Sequence, residues 1–404
     1  MLRIDSRRQQ TTPPEQSSRG NRTLRVGYVS IKPAGDILDY SGTTSAIRRA
    51  LLATPNVELV DIDDLATRYF TVWRAKQAAY WFAAGRRYWI NRQPFVLRDY
   101  ATQVSRRLAS VGPLDVLLSS SSLPLACYSG KIPVVFWSDA TFAGYVSLYP
   151  DARLMCRETI RTGNRLEQEA LSSCSLAIYS SRWAADTAIR AYEVSDDKVA
   201  VVPYGANIEM APAAQDVEDR FSARPARPVR LLFVGGDWLR KGGDVAVGAA
   251  ESLANRGHQV QLDIVGSTPP SAVPAFVRMH GFLRKYSVQD RQTLHRLFEQ
   301  SDVLLLPTRA DCVPVVIAEA CAYGVPCVAT DVGGVASVIR PGETGILLPL
   351  SASAAEWADA VESLVIDPLR YRSMARRSRA LFESDLNWAT AVDRVLTLIR
   401  DRVA

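Results

Sequence analysis

DVLLLPTRADCVPVVIAEACAYGVPCVATDVGG, from Asp302 to Gly334, decides the fold. Val303 to Leu306 is an unbroken apolar run, the pattern of a strand buried on both faces of a parallel sheet. Thr308 to Cys312 follows as a polar loop at the strand's carboxyl end. Pro314 suits the first helical position, where no N–H is needed. Ala318 to Tyr323 continue that helix, Gly324 ends it, and Val325 to Ala329 is the next strand. The unit is strand–loop–helix–strand, and open α/β sheets bind ligands at such carboxyl-end loops.

Two carboxylates mark this unit. Asp311 precedes the helix, and Glu319 follows eight residues later on the second turn. The amides at positions 313 to 316 and the helix dipole favour an anion there. A carboxylate one turn further on can accept hydrogen bonds from vicinal hydroxyls such as those of a ribose. An aspartate stabilising a helix start beside a solvated glutamate has the same spacing, so spacing alone leaves both readings open.

The stretch resembles the acidic-x7-Glu signature of retaining glycosyltransferases of family 4, the glycosyl transferases group 1, whose fold is the two-domain GT-B. That family reads E-G-F-G-L-P-x-x-E-A-x-A-x-G-x-P-V-V-A-T/S-x-x-G-G. This chain has Asp311 for the first Glu, Cys312 for the first Gly and Pro314 for the second, and keeps Glu319, Ala320, Gly324, Pro326, Gly333 and Gly334. The resemblance implies that Glu319 holds the nucleotide ribose. It implies that Asp311, with Cys312, Val313, Pro314 and Val315, faces the donor sugar and diphosphate. The aspartate reaches one methylene less far than the glutamate it replaces.

Working outward, Val229 to Gly236 (VRLLFVGG) is a buried strand, followed by Asp237-Trp-Leu-Arg-Lys-Gly-Gly243. Adjacent bases at a strand-to-helix junction can pair with a diphosphate, although Arg-Lys in a loop is usually a solvated feature. Here the segment resembles the family's V-G-R-x(4)-[KR]-K-G. Lys241 aligns with the phosphate-binding lysine, Gly236 stands where the family has arginine, and Arg240 is expected to cover part of that loss. His280-Gly281-Phe282-Leu283 resembles the family turn whose backbone reads the base, which implicates Gly281; His280 is expected to pack. Arg284 and Lys285 are either phosphate contacts or solvated loop bases.

The first half alternates in the same way. Leu24 to Ile31 is a strand, and Gly42 lies in the loop before a helix from Ser45 to Ala53, where the family places a glycine against donor or acceptor. Val134 to Trp137 is a strand followed by Ser138-Asp139-Ala140-Thr141-Phe142. Asp139 is either a carboxylate facing the sugar or acceptor, or a turn aspartate capping the next helix. Asp311, Lys241 and Asp139 are thus the candidate catalytic residues. Gly42, Arg240, Lys241, Gly281, Asp311, Cys312, Val313, Pro314, Val315 and Glu319 are the candidate donor-binding ones.

The resulting fold class is α/β: GT-B, two Rossmann-like doubly wound parallel-sheet domains facing a central cleft. Residues 1–23 read as a disordered polar tail without the apolar segment of a secretory signal. Residues 24–207 form an acceptor-side domain, and 208–228, rich in Ala, Pro and charge, a linker and hinge. Residues 229–384 form the nucleotide-sugar domain, and 385–404 read as a terminal amphipathic helix, which the resemblance implies crosses back to the first. Tyr69 to Arg92 packs aromatics among arginines, a composition that fits either an anionic membrane interface or a helical hairpin on the sheet.

Composition sets the remaining bounds. The 404 residues are 48% hydrophobic and 22% charged, as in a globular protein, and carry a net charge of +6. That charge suits anionic partners, namely nucleotide sugars, phosphorylated carriers or an anionic membrane face, and no nucleic-acid motif accompanies it. Six scattered cysteines and three histidines have no metal-ligand spacing, which points to a reducing cytoplasm and no structural zinc; the aromatic–basic run adds the option of a peripheral position on the inner face of the membrane.

The function the resemblance implies is transfer of a sugar from a nucleotide-diphospho-sugar to a sugar or lipid-linked acceptor, with retention. No metal and no cofactor are expected, and the role is in surface polysaccharide or glycolipid synthesis. A sugar-nucleotide epimerase or glycosyl phosphorylase lacks its catalytic His or cofactor lysine here. An NAD oxidoreductase lacks G-x-G-x-x-G after the first strand. A catalytically silent sugar-nucleotide-binding scaffold stays open.

Overall fold

The computed structural model describes residues 22–37, 39–67, 70–222 and 228–403; the expected tail lies almost wholly outside them. Alternating strands and helices build two all-parallel six-stranded sheets. The first holds β1 (Leu24–Val29), β2 (Val57–Ile62), β3 (Val116–Ser119), β4 (Val134–Ser138), β5 (Leu176–Tyr179) and β6 (Val199–Val201) in the order β2-β1-β3-β4-β5-β6. The second holds β7 (Val229–Val234), β8 (Val260–Val265), β9 (Val277–Met279), β10 (Val303–Leu306), β11 (Cys327–Thr330) and β12 (Gly345–Leu348) in the order β12-β11-β10-β7-β8-β9.

β10 shows why a continuous apolar run marks a central strand. Its side chains alternate between faces: Leu304 and Leu306 join the core on one side of the sheet, Val303 and Leu305 the core on the other. All four are fully buried. Helix Val315–Ala322 then begins one residue later than expected. Pro314 is its N-cap, with an extended ψ of 102°.

Helix Trp388–Arg402 packs on the first sheet. Ala391, Val392, Val395, Leu396 and Ile399 are fully buried in the first domain's core, beside Leu24, Val26, Trp137 and Tyr204. Burial of each of the four larger side chains is worth roughly 1.5–3 kcal/mol. Gly205 permits the approach, since a Cβ there would lie 2.4 Å from the Trp388 backbone nitrogen.

The segment 208–228 departs from the linker reading. Helix Ala214–Ser222 occupies much of it, and residues 223–227 lie outside the described residues. Val217 enters the second domain's core. Arg220 donates to the carbonyls of Phe298 (3.3 Å), Glu299 (2.8 Å) and Tyr323 (2.6 Å), the positions where a cation meets helix C-terminal carbonyls. This helix belongs to the second domain. The stretch without regular structure between the two sheets is therefore shorter than the linker expected, and it is paired: Ala206 N–H donates to the Leu386 carbonyl (2.9 Å), joining the two crossings.

The aromatic–basic run is a single helix, Phe70–Ala84, followed by an extended stretch and a short 3₁₀ turn at Ile90–Arg92, in place of a hairpin. Tyr69 lies outside the described residues. No helix among the described residues is long and apolar enough to cross a membrane.

Candidate active site

Strand order reverses beside β1 in the first sheet and between β7 and β10 in the second, and such switch points open a crevice at the strand ends. The loops leaving β7 and β10 supply the second domain's candidate residues. After β7 a one-turn helix, Trp238–Lys241, is capped by Asp237, whose carboxylate accepts from Arg240 N–H at 3.0 Å. Gly242, at φ +79°, passes so close to the Pro307 carbonyl that a Cβ would lie 2.0 Å from its oxygen. This approach brings Lys241 to the β10 loop, where its Nζ donates to Asp311 Oδ2. Both side chains are mostly buried, with 15% and 9% exposed. Arg240 donates from its guanidinium to the Ala310 carbonyl at 2.9 Å.

Gly333 and Gly334 hold the acidic loop from behind. A Cβ on Gly333 would lie 2.1 Å from the Asp311 carbonyl oxygen, and one on Gly334 1.8 Å from that of Cys312. Neither position has room for a side chain. Pro314 has no N–H, which narrows the expected amide set 313–316 to Val313, Val315 and Val316. The Ile317 N–H bonds back to the Pro314 carbonyl at 3.0 Å. Glu319, 2% exposed, accepts from Lys285 Nζ at 2.5 Å.

The first domain supplies the facing wall. Asp139 does not cap the next helix: Thr141 does, its Oγ accepting from Gly144 N–H at 3.1 Å. The Asp139 carboxyl is left to the cavity, where burial pushes it up to about 6 and the Asp311 charge adds to the rise. Tyr149 crosses the cleft. The Arg240 guanidinium lies 5.6 Å from its ring centre.

Asp139→Asn tests that environment. The unfolded carboxyl ionises near pH 4, so the native state binds more protons than the unfolded chain between about pH 4 and 6. Wild-type stability therefore falls as pH rises through this window. The full shift corresponds to about 3 kcal/mol, and partial exposure reduces that to ~1–2 kcal/mol. Asp139→Asn is expected to stabilise the protein by that amount at pH 8 and by nothing near pH 4, read from denaturant titrations at both pH values.

The structure brings eight of the eleven candidate residues to one cavity. Asp139, Arg240, Lys241, Asp311, Val313, Pro314, Val315 and Glu319 line one interdomain cavity of about 510 Å³. Three candidates lie off its wall. Gly42, at φ +86°, starts helix Thr43–Leu52 and borders a second cavity of about 790 Å³, while its neighbour Thr43 faces the first. Gly281 accepts from Gly266 N–H through its carbonyl (2.7 Å), and Phe282 to Lys285 take the wall instead. Cys312 is buried behind the loop, and burial holds its thiol well above the usual range. His280 packs against Asp263 at 2.7 Å. Gly236 lines the cavity with open space around its missing Cβ. Tyr149 and the Lys285–Glu319 pair carried no signal in the sequence, because each depends on contacts distant along the chain. Among the described residues no three His, Cys, Asp or Glu side chains cluster as a metal site.

Residues 228–367 match the family model described as glycosyl transferases group 1. D-inositol 3-phosphate glycosyltransferase of Corynebacterium aurimucosum is 26% identical over 252 residues, covering 59% of this chain and 59% of the relative. The chain spans between 53% and 59% of the length of the first such curated relatives. Among solved structures, sucrose-phosphate synthase from Thermosynechococcus elongatus matches with a TM-score of 0.69 at 18% identity, over 94% of this chain and 98% of its own. Anabaena Alr3699/HepE in complex with UDP-glucose matches with a TM-score of 0.60 at 17% identity, over 94% and 100%.

Proposed function

With a group 1 glycosyl transferase module at 228–367 set in a GT-B frame, we propose that this protein is a retaining glycosyltransferase of family 4. It moves a sugar from a nucleotide-diphospho-sugar to an acceptor hydroxyl, in cell-surface polysaccharide or glycolipid synthesis. One observation carries this reading: four basic residues, a helix N-terminus and a buried helical carboxylate share one cavity with a carboxylate of the opposing domain.

Lys241, Arg240 and the N–H groups of Val313, Val315 and Val316 receive the diphosphate, and Glu319 receives the ribose. Binding exchanges the Lys285 ammonium on Glu319 for ribose hydroxyls, which frees Lys285 for phosphate. The bond from the anomeric carbon to the diphosphate oxygen breaks while the acceptor oxygen bonds that carbon from the same face. The acceptor proton passes to the leaving phosphate oxygen. Donors fixed where negative charge develops are the main source of acceleration in such a step. Asp311 and Asp139 face the transferred sugar and the acceptor. These groups neutralise the diphosphate, and the reading assigns no resident metal or cofactor. The hinge pair at 206–213 and 385–387 closes the cleft around the donor. The acceptor is a sugar or lipid-linked hydroxyl, the setting is cytoplasmic, and contact with a membrane face is peripheral.

Binding without transfer is the second reading, favoured by the shorter Asp311 and by glycine at 236. One experiment separates the two. UDP-, GDP- and ADP-sugars are screened by thermal shift, followed by assay of nucleoside diphosphate release. A ligand at about 100 times its Kd stabilises by ~2.7 kcal/mol, several degrees for domains of this size. One nucleotide class is expected to raise Tm and to be turned over. A shift without turnover across an acceptor panel supports the silent reading, and no shift with any donor overturns both.

A further inference from the structure

Helix Phe70–Ala84 uses its aromatics on two faces. On the inner face Trp73 stacks on Phe95 at 4.2 Å and Tyr80 on Tyr88 at 5.5 Å, while Lys76 bonds Glu158 at 2.6 Å. On the outer face Phe82 is 87% exposed and Trp81 50%. The turn at 153–154 joins that face: Arg87 N–H donates to the Leu154 carbonyl and the Arg86 guanidinium to the Arg153 carbonyl, both at 2.7 Å. Leu154 is itself 39% exposed. Around this apolar tip Arg86, Arg153 and Arg157 are exposed, and none has a salt-bridge partner among the described residues.

Core packing explains the inner aromatics and leaves the outer ones unexplained. Two adjacent exposed aromatics beside arginines that have no ion-pair partner among the described residues match the layering of a bilayer interface, where rings sit at the headgroup–acyl boundary and guanidiniums meet anionic headgroups. We propose that this surface docks the protein on an anionic lipid bilayer, with Phe82, Trp81 and Leu154 inserted and Arg86, Arg153 and Arg157 on the headgroups. The surface is tied to the cleft. Trp89 meets Tyr145 at 5.4 Å, Tyr145 stacks on Tyr149 at 4.5 Å, and Tyr149 lies under Arg240 in the cavity wall. Resting on the transferase reading, this placement makes the acceptor a hydroxyl carried by a membrane-anchored molecule, because docking holds the cleft beside the bilayer.

The test is vesicle flotation of the full chain, with phosphatidylcholine alone and with phosphatidylglycerol added. Wild type is expected to float with the anionic vesicles only, and added salt should release it. Phe82→Asp, and separately Arg86→Glu with Arg153→Glu, are expected to weaken partition roughly tenfold or more with unchanged Tm. Absence of flotation, equal flotation on neutral vesicles, or Phe82→Asp floating like wild type overturns the proposal. So does a concentration-dependent wild-type dimer lost in Phe82→Asp, seen by sedimentation, which would give the surface to a second copy. Vesicle binding needs no turnover and donor binding needs no vesicle, so either reading can fail without the other.

Discussion

Lys241→Met is expected to lower turnover by roughly 10²–10³-fold, the loss seen when one fixed donor to a developing negative charge is removed. The loss should fall on kcat, because the charge on the leaving diphosphate grows as the bond breaks. The same substitution also strands a carboxylate. Asp311 is 6% exposed, and its ion-pair partner is Lys241, with the Asp139 carboxyl facing it. Removing one member of such a pair costs about 3 kcal/mol. Adding Asp311→Asn relieves that cost, so Lys241→Met with Asp311→Asn should recover most of the stability and none of the turnover. Denaturant titrations and initial rates on the two single variants and the double variant close the cycle. Recovery of turnover in the double variant would mean that Lys241 acts only by holding Asp311, and the leaving-group role would fall.

Glu319→Ala has a different signature. Its carboxylate is expected to take ribose hydroxyls in donor and transition state alike, so its loss raises KM far more than it lowers kcat. Hydrogen bonds to a charged acceptor are worth ~1.5–3 kcal/mol, or roughly 10–150-fold in donor affinity. The empty protein should keep its stability, because the partner, Lys285, is 37% exposed and regains water. Titration of nucleoside diphosphate by calorimetry reads this directly. Equal affinity in wild type and Glu319→Ala would place the ribose elsewhere.

Much of this site was legible as chain order. The apolar run at 303–306, the loop to Cys312 and the short helix gave the strand–loop–helix unit, with Pro314 shifted by one position. Local sterics write such units: an apolar run on both pleats needs two cores, and a glycine without space for a Cβ needs a neighbour against it. Asp311, Glu319 and Lys241 share a cavity because loops leaving adjacent strand ends at a switch point converge. Asp139 was legible only as one of two roles, and the nearby Thr141 cap removed the simpler one.

Other features were hidden for identifiable reasons. Composition disguised helix Ala214–Ser222 as linker, since its buried anchor is Val217 and Arg220 acts through distant carbonyls. In helix Phe70–Ala84 aromatics occur on both faces, so periodicity could not say which face packs. Phe82 and Trp73 look alike until Phe95 and Tyr88 are placed beside one of them.

By itself the sequence determined the alternation of strands and helices, the two parallel sheets and the carboxyl-end loops that carry the candidate carboxylates and bases. These follow from period, apolar runs and backbone limits within a few tens of residues. The tertiary structure alone decided which of those residues meet: Lys285 on Glu319, Tyr149 beneath Arg240, and Asp139 opposite Asp311. Such pairs join side chains far apart in the chain or on different domains. Their distances are set by how the sheets stack and face each other, which no local pattern encodes.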